Sequence, residues 1–290
     1  MPPSLSIVIP AYNEEGRLGP TLASVQTFLN VLYPSYEILV IDDGSDDATA
    51  SIAQAAAIAN SRICCLQNDK NHGKGYSVRK GLLAAKGDFI LFSDADLSTP
   101  IEELPKLLDW AGRGYPLVIG SRRDPHQILR PQPFYRRCLG KAFNRFVRWW
   151  AIAGIEDTQC GFKLFRRDVA RRLASLQQID RFGFDVELLY LARRCGYAIA
   201  ETPVLWRDAA GSSVRLFRDG LTMLADLLRI RVADWLGHYG SIIRDIQEQG
   251  IGHRADPEQP GTAVWEVATE DVRLLLGETC GDEGGQGSER

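Results

Sequence analysis

Short apolar runs alternate with helix-like segments over the first 121 residues, and this alternation restricts the fold more than any other feature. The apolar runs predict strands at 5–11, 36–42, 62–67, 88–94 and 117–121. The segments between them predict helices at 19–32, 46–59, 73–87 and 98–114. Strands written as continuous Val, Ile and Leu runs are covered on both faces. The sequence therefore predicts an α/β fold with a mostly parallel sheet flanked by helices.

Polar side chains collect where four of these strands end, and the carboxyl ends of parallel strands are where such sheets bind ligands. The polar groups lie at 10–14, 42–45, 94–96 and 121–123. Any one of them could simply cap a helix or a turn. All four together favour a binding site at one edge of the sheet. The last predicted helix carries a capping box, Thr99 with Glu102, and has Pro100 at its first position.

Asp94 and Asp96 directly follow the fourth apolar run, although like charges this close repel each other. A hard divalent cation, Mg²⁺ or Mn²⁺, removes the repulsion and commonly bridges substrate phosphates. Nucleotide-sugar glycosyltransferases use this D-x-D spacing to hold a metal. Aspartyl-phosphate phosphohydrolases use it for a nucleophile, but on the first strand of the fold, so the sequence favours the transferases. Neither a dinucleotide fingerprint nor a P-loop is present, and the loop 72–75 (HGKG) could approach a phosphate or a base.

Six segments occur in a characteristic order: SIVIPAYNEE, LVIDDGSDD, DFILFSDADLS, GSRRD, DTQCGFK and RFGFDVELLYLARRCGY. With them, over roughly residues 4–235, the chain resembles family 2 glycosyltransferases of the GT-A fold. Within that family it is most similar to the dolichyl- and polyprenyl-phosphate sugar synthases. The segment ETPVLWRDAAGSSV looks most like the dolichyl-phosphate β-glucosyltransferases, whose close relatives are the mannose synthases.

The resemblance implies roles for matching positions. Asp94, Ala95 and Asp96 would meet the ribose and diphosphate of the donor, with Asp96 as the principal metal ligand and Asp94 beside it. Asp157 and Gln159 would lie at the reacting centre. The donor nucleotide would also be surrounded by Pro10, Tyr12, Glu14, Ile41, Asp43 and Arg122. The candidates for the acceptor phosphate are Arg122, Arg136, Arg207 and Arg215. The chain departs from the mannose synthases at Ser98, where they often have Gln.

Two basic and aromatic stretches predict amphipathic helices near 134–155 and 213–239. Residues 122–150 hold eight Arg and Lys against one Asp, interleaved with aromatic side chains. Such helices lie in the membrane interface, and the alternative is that both stripes pack on the sheet as core. Nucleic-acid binding is disfavoured, because the chain has no nucleic-acid-binding motif and ends in an acidic segment.

Charge divides the chain into two parts. Residues 241–290 hold eleven acidic and four basic residues, a net charge of −7, whereas residues 1–240 hold 30 basic and 26 acidic residues, a net charge of +4. We therefore expect a glycosyltransferase domain at 1–240 and an acidic, partly disordered tail at 241–290. Six scattered cysteines without metal-ligand spacing are typical of a reduced cytosolic protein. Neither a signal peptide nor an apolar run of about 20 residues is visible, which favours a protein peripheral to the cytoplasmic face of a membrane.

The predicted function is an inverting transfer of a hexose, most simply glucose from UDP-glucose, onto a polyprenyl or dolichyl phosphate with Mg²⁺ or Mn²⁺. GDP-mannose as donor and a soluble or polysaccharide acceptor remain alternatives. From other classes, a D-x-D phosphohydrolase and a non-catalytic membrane-binding module also remain. The sequence does not indicate an oligomeric state.

Overall fold

A computed structural model describes residues 4–122, 128–130, 154–207, 216–237 and 239–240. Its strands are β1 (Leu5–Ala11), β2 (Tyr36–Asp42), β3 (Ile63–Gln67), β4 (Phe89–Ser93), β5 (Leu117–Ser121), β6 (Ile128–Arg130), β7 (Phe162–Arg166), β8 (Ile199–Pro203) and β9 (Trp206–Arg207). Seven of them form one sheet in the order β3-β2-β1-β4-β7-β5-β8, and β6 pairs with β9. The five strands expected before residue 122 are present to within one residue at each end.

The helices are α1 (Leu18–Leu32), α2 (Thr49–Ala59), α3 (Lys74–Ala84), α4 (Leu104–Gly112), α5 (Arg167–Leu176), α6 (Phe184–Arg194) and α7 (Leu216–Trp235). They cover both faces of the sheet. On β1, Val8 faces the core shared with α3, α5, α6 and α7, whereas Ile7 and Ile9 face the core shared with α1, α2 and α4. This alternation is what a pleated strand buried on both sides requires.

One strand of the sheet runs against the others. The pairs β1–β2, β1–β4, β2–β3 and β5–β8 are parallel, while β7 is antiparallel to both β4 and β5. Because Ser93 at the end of β4 pairs with Phe162 at the start of β7, the turn that precedes β7 reaches the carboxyl edge of the sheet. The DTQCGFK segment therefore lies beside the D-x-D motif.

The predicted capping box is wrong. A 3₁₀ turn, Ile101–Glu103, precedes α4, and no side-chain capping bond is made there. The hydroxyl of Thr99 instead lies 3.8 Å from the Cys160 sulfur. The buried Glu103 accepts the backbone N–H of Leu205 at 3.1 Å and pairs with Lys106. Thr99 therefore has a long-range neighbour in place of the predicted local cap.

The two predicted amphipathic helices have different outcomes. Residues 131–153, most of the first, lie outside the described residues, as does the tail 241–290. The second is present as α7, which buries Leu227, Ile230 and Ala233 against the core and leaves other apolar side chains exposed. No helix in the described part of the chain combines the length and the apolar character needed to span a bilayer.

Candidate active site

The D-x-D motif forms a tight turn directly after β4. The Asp94 N–H donates to the Gly161 carbonyl at 3.2 Å, and the Ser98 N–H donates to the Asp96 carboxylate at 2.9 Å. The Thr21 hydroxyl donates to the Ala95 carbonyl at 2.6 Å. Leu97 has a φ of +45°, a conformation that bulky residues rarely adopt and that occurs at functional sites. These bonds hold both carboxylates at the carboxyl edge of the sheet.

Gly161 of the DTQCGFK turn packs directly on the first carboxylate. A Cβ atom placed on Gly161 would lie 2.0 Å from one Asp94 carboxylate oxygen and 2.4 Å from its Cγ. Real Cβ atoms do not approach other atoms this closely. The turn therefore needs glycine at this position so that Asp94 can keep its place.

Charge of both signs surrounds the motif. Lys74, at the first turn of α3, contacts the Asp94 carboxylate at 2.7 Å. Burial raises the pKa of Glu14 and the nearby Asp96 and Asp94 raise it further, against the opposing effect of Arg17 at 2.5 Å. Burial alone would lower the pKa of Lys74, but Asp94 and Asp185 outweigh it, so the pKa is raised and the side chain stays charged. The carboxylates outnumber the cations here, which favours a bound metal ion.

The residues present fit a hard divalent cation. Asp94 and Asp96 supply carboxylate oxygens, the ligands that Mg²⁺ and Mn²⁺ prefer. Over the described ranges, no group of three or more His, Cys, Asp or Glu side chains is arranged to hold a metal ion. A metal carried by two carboxylates keeps most of its coordination positions for water and substrate phosphates.

A second charged pair lies at the end of β5. Asp157 holds Arg122 through two side-chain bonds of 2.7 Å each, and the Arg122 N–H adds a third at 3.0 Å. Burial would raise the pKa of Asp157, but Arg122 outweighs it and holds the pKa below its usual range. The carboxylate is thus ionised and occupied. It orients Arg122, and the geometry does not favour a proton-accepting role for it.

Glu201 on β8 supports this pair by binding the backbone of the turn that carries Asp157. Its carboxylate accepts the backbone N–H groups of Glu156 at 2.9 Å and Asp157 at 2.8 Å. The Gln159 N–H donates to Asp157 at 3.2 Å, which closes the turn. The Arg122 guanidinium lies 5.5 Å from the ring centroid of Trp206, within the range of a cation–π contact. Three elements therefore fix the direction of one guanidinium group.

The predicted donor-binding residues lie at the ends of β1 and β2, with different exposure. Tyr12 is on the surface, whereas Pro10 is buried. Ile41 is fully buried in the core, which restricts any donor contact to its backbone. Asp43 accepts the backbone N–H groups of His72 at 3.1 Å and Gly73 at 2.8 Å. Asp43 therefore also shapes the loop that leads into α3.

Two of the four predicted acceptor-binding arginines, Arg122 and Arg207, lie within the described residues. Arg122 is the partner of Asp157 at the end of β5. Arg207 is exposed on β9, and its N–H donates to the Ser98 carbonyl at 2.8 Å, so β9 lies against the D-x-D turn. Arg136 and Arg215 lie outside the described residues.

Sequence reasoning missed three supports of the site: Lys74, Lys163 and Glu201. Lys74 had a signal, since it lies in the HGKG loop. Lys163 and Glu201 lie in β7 and β8, where the local sequence does not show which way each side chain points. Their roles depend on long-range contacts that no local pattern encodes.

The profile of glycosyl transferase family 2 matches residues 6–174. The chain belongs to this family. It is 38% identical over 246 residues to a dolichyl-phosphate β-glucosyltransferase of Dictyostelium discoideum, covering 80% of this chain and 75% of that protein. Identity to the human dolichyl-phosphate β-glucosyltransferase is 35% over 242 residues, covering 79% and 75%.

Solved structures support the same fold. Glucosyl-3-phosphoglycerate synthase from Mycobacterium tuberculosis in complex with UDP superposes with a TM-score of 0.58 at 24% identity, covering 79% of this chain and 80% of that one. The same enzyme with Mn²⁺, UDP-glucose and phosphoglyceric acid gives a TM-score of 0.58 at 23% identity, covering 79% of each chain. The predicted GT-A fold, a mostly parallel sheet flanked by helices, is confirmed.

Proposed function

We propose that this glycosyltransferase moves glucose from UDP-glucose onto a dolichyl or polyprenyl phosphate, with inversion at the anomeric carbon. The observation that carries the proposal is 34–38% identity, over about four-fifths of the chain, to dolichyl-phosphate β-glucosyltransferases of five organisms. The carboxyl edge of the sheet holds groups suited to both halves of this reaction.

The D-x-D turn would hold the donor diphosphate. Asp96, with Asp94 beside it, would carry Mg²⁺ or Mn²⁺. There it would supply Lewis-acid stabilisation of the charge on the departing nucleoside diphosphate. Tyr12, Glu14 and Asp43, at the ends of the two neighbouring strands, would line the nucleotide.

Arg122 would bind the phosphate of the acceptor, because a guanidinium group suits a phosphate monoester. A guanidinium has five N–H donors; two of those of Arg122 bind Asp157, and a phosphate suits the rest. A phosphate monoester has a second pKa of about 6, so at neutral pH it is mostly a dianion and already a nucleophile. The reaction therefore does not need a strong base. This agrees with the state of Asp157, which is paired with Arg122 and unsuited to accept a proton.

The exposed face of α7 would attach the enzyme to the membrane that contains its lipid acceptor. Leu228, Val232, Trp235 and Leu236 are 49%, 52%, 86% and 59% exposed, and their spacing places them along one side of the helix. Arg229 and Arg231 are also exposed. An apolar stripe with neighbouring arginines suits the interface of an anionic membrane. We infer peripheral attachment at the cytoplasmic face of a membrane.

The test is direct synthesis. Purified protein is incubated with Mn²⁺ or Mg²⁺, a polyprenyl phosphate and either UDP-glucose or GDP-mannose, and the glycolipid is measured by mass spectrometry. We expect a hexosyl-phosphate lipid from UDP-glucose, lost with EDTA and in Asp96→Asn. Asp109→Asn is the matched control, since Asp109 is an exposed residue of α4 that pairs with Arg113 at the surface.

Other products would replace the proposal. A product from GDP-mannose alone would assign the other donor. Metal-dependent nucleotide binding without glycolipid would retain the transferase and discard the lipid acceptor. Release of inorganic phosphate without sugar transfer would indicate a phosphohydrolase.

A further inference from the structure

A buried ion pair lies behind the D-x-D turn. The Lys163 ammonium on β7 contacts the Asp185 carboxylate at the start of α6, and their side chains are 0% and 8% exposed. Lys163 also donates to the Cys160 carbonyl at 2.6 Å. Burying two charges is costly, and apolar residues of similar volume often serve stability equally well. Core packing alone therefore does not account for the pair.

The first connection between this pair and the site runs through the turn before β7. Lys163 fixes Cys160, and the next residue, Gly161, accepts the Asp94 N–H and packs on the Asp94 carboxylate. The position of the turn therefore sets the position of Asp94.

The second connection runs through charge. The Lys74 and Lys163 ammonium groups lie 5.4 and 5.7 Å from the centroid of the same Phe92 ring. Asp185 acts electrostatically on Lys74 as well as on Lys163, and Lys74 contacts Asp94 at 2.7 Å. Both ammonium groups thus share one neighbour, the Phe92 ring, and Asp185, which contacts Lys163 directly, also acts on the charge of Lys74.

We propose that Lys163 and Asp185 are positioning residues for the donor site: they hold the Cys160–Gly161 turn and the Lys74 ammonium against Asp94. This role assigns a shared purpose to the DTQCGFK and RFGFDVELL segments, each of which supplies one member of the pair. It rests on the proposed function for the identity of the donor.

The experiment measures Mn²⁺-dependent UDP binding by calorimetry together with thermal unfolding, for Asp185→Asn, Lys163→Met and the double variant Lys163→Met/Asp185→Leu. The control is Asp234→Asn, which removes an aspartate paired with Arg194 at the other end of α6. We expect each pair variant to weaken UDP binding by roughly 10- to 100-fold, as loss of supporting contacts does at metal sites. Asp234→Asn should leave UDP affinity within about twofold of wild type, since additive, distant sites do not couple.

The double variant separates positioning from stability. Each single change leaves a buried charge unpaired, whereas the double change leaves none, so its Tm should exceed those of both single variants. A double variant that unfolds like wild type and binds UDP with wild-type affinity would overturn the proposal, because the pair would then serve the core alone. Pair variants whose UDP affinity matches that of Asp234→Asn would overturn it equally.

The same titrations with GDP and Mn²⁺ distinguish the proposed donor from the proposed role of Lys163 and Asp185. Binding of GDP in place of UDP would refute the proposed donor, and the loss in the pair variants would still be measured with GDP. A folded wild type that binds neither nucleotide would refute both proposals.

Discussion

Gly161→Ala tests most directly whether the turn before β7 controls the D-x-D carboxylate. The added Cβ would lie 2.0 Å from an Asp94 oxygen, so the carboxylate has to move by about 1.4 Å to reach the shortest ordinary contact distance of 3.4 Å. Gly161 does not have a positive φ, so alanine introduces the overlap without backbone strain. Asp94 is partly exposed, with 29% of its side chain accessible, and it can yield toward solvent. We therefore expect a stability loss near the low end of the usual overpacking cost, about 1 kcal/mol.

The expected functional loss is much larger than the loss of stability. A misplacement of about 1 Å at a reacting site costs roughly 100-fold in rate, which corresponds to about 2.7 kcal/mol of transition-state stabilisation. The assay compares kcat/KM for glycolipid synthesis, Mn²⁺-dependent UDP affinity and Tm in the wild type and the variant.

Gly19→Ala is the matched control. Gly19 lies in α1, and among the described residues its added Cβ would meet Ile52 alone, at 4.0 Å, so activity and UDP affinity should be unchanged. Wild-type kcat/KM and UDP affinity in Gly161→Ala would refute the reasoning, because they would show that Asp94 has no fixed position that the reaction depends on.

Three further outcomes follow from contacts around the site. In Glu201→Gln an NH₂ group takes the place of one of the two carboxylate oxygens that accept the N–H groups of Glu156 and Asp157, so one of these two hydrogen bonds is lost. We expect a stability loss of about 1–3 kcal/mol and a lower kcat/KM, and an unchanged Tm would show that these bonds do not stabilise the fold. Because the pKa of Asp157 is lowered in the folded state, its contribution to stability is present above its unfolded pKa of about 3.9 and is lost as the pH falls through the folded value. Asp157→Asn should accordingly lower Tm at pH 7 and make Tm less dependent on pH below about 4. Trp235→Ala should reduce co-sedimentation with anionic vesicles while leaving Tm unchanged, because the side chain is 86% exposed. Equal vesicle binding by the wild type and the variant would show that α7 does not contact the membrane.

The positions of the first strands along the chain follow from local composition. A continuous apolar run is buried on both faces wherever it is placed, so β1, β2, β4 and β5 were predictable without knowledge of their neighbours. The carboxyl ends of parallel strands meet at one edge, which is why the D-x-D pair and Arg122 could be assigned to one site from sequence. A cap, in contrast, competes with tertiary partners, and the predicted bond between Thr99 and Glu102 is not made.

Sequence by itself determined which side chains stand at the carboxyl edge: the strand ends carry their polar residues whatever else the chain does. Only the tertiary structure decided how those side chains are held. The antiparallel course of β7 brings Gly161 onto Asp94, although they are separated by 67 positions along the chain. The pairs Arg122–Asp157 and Lys163–Asp185 likewise join residues on different elements. Local propensity acts over a few residues, whereas these contacts depend on the direction and register of whole strands, which only the packed sheet establishes.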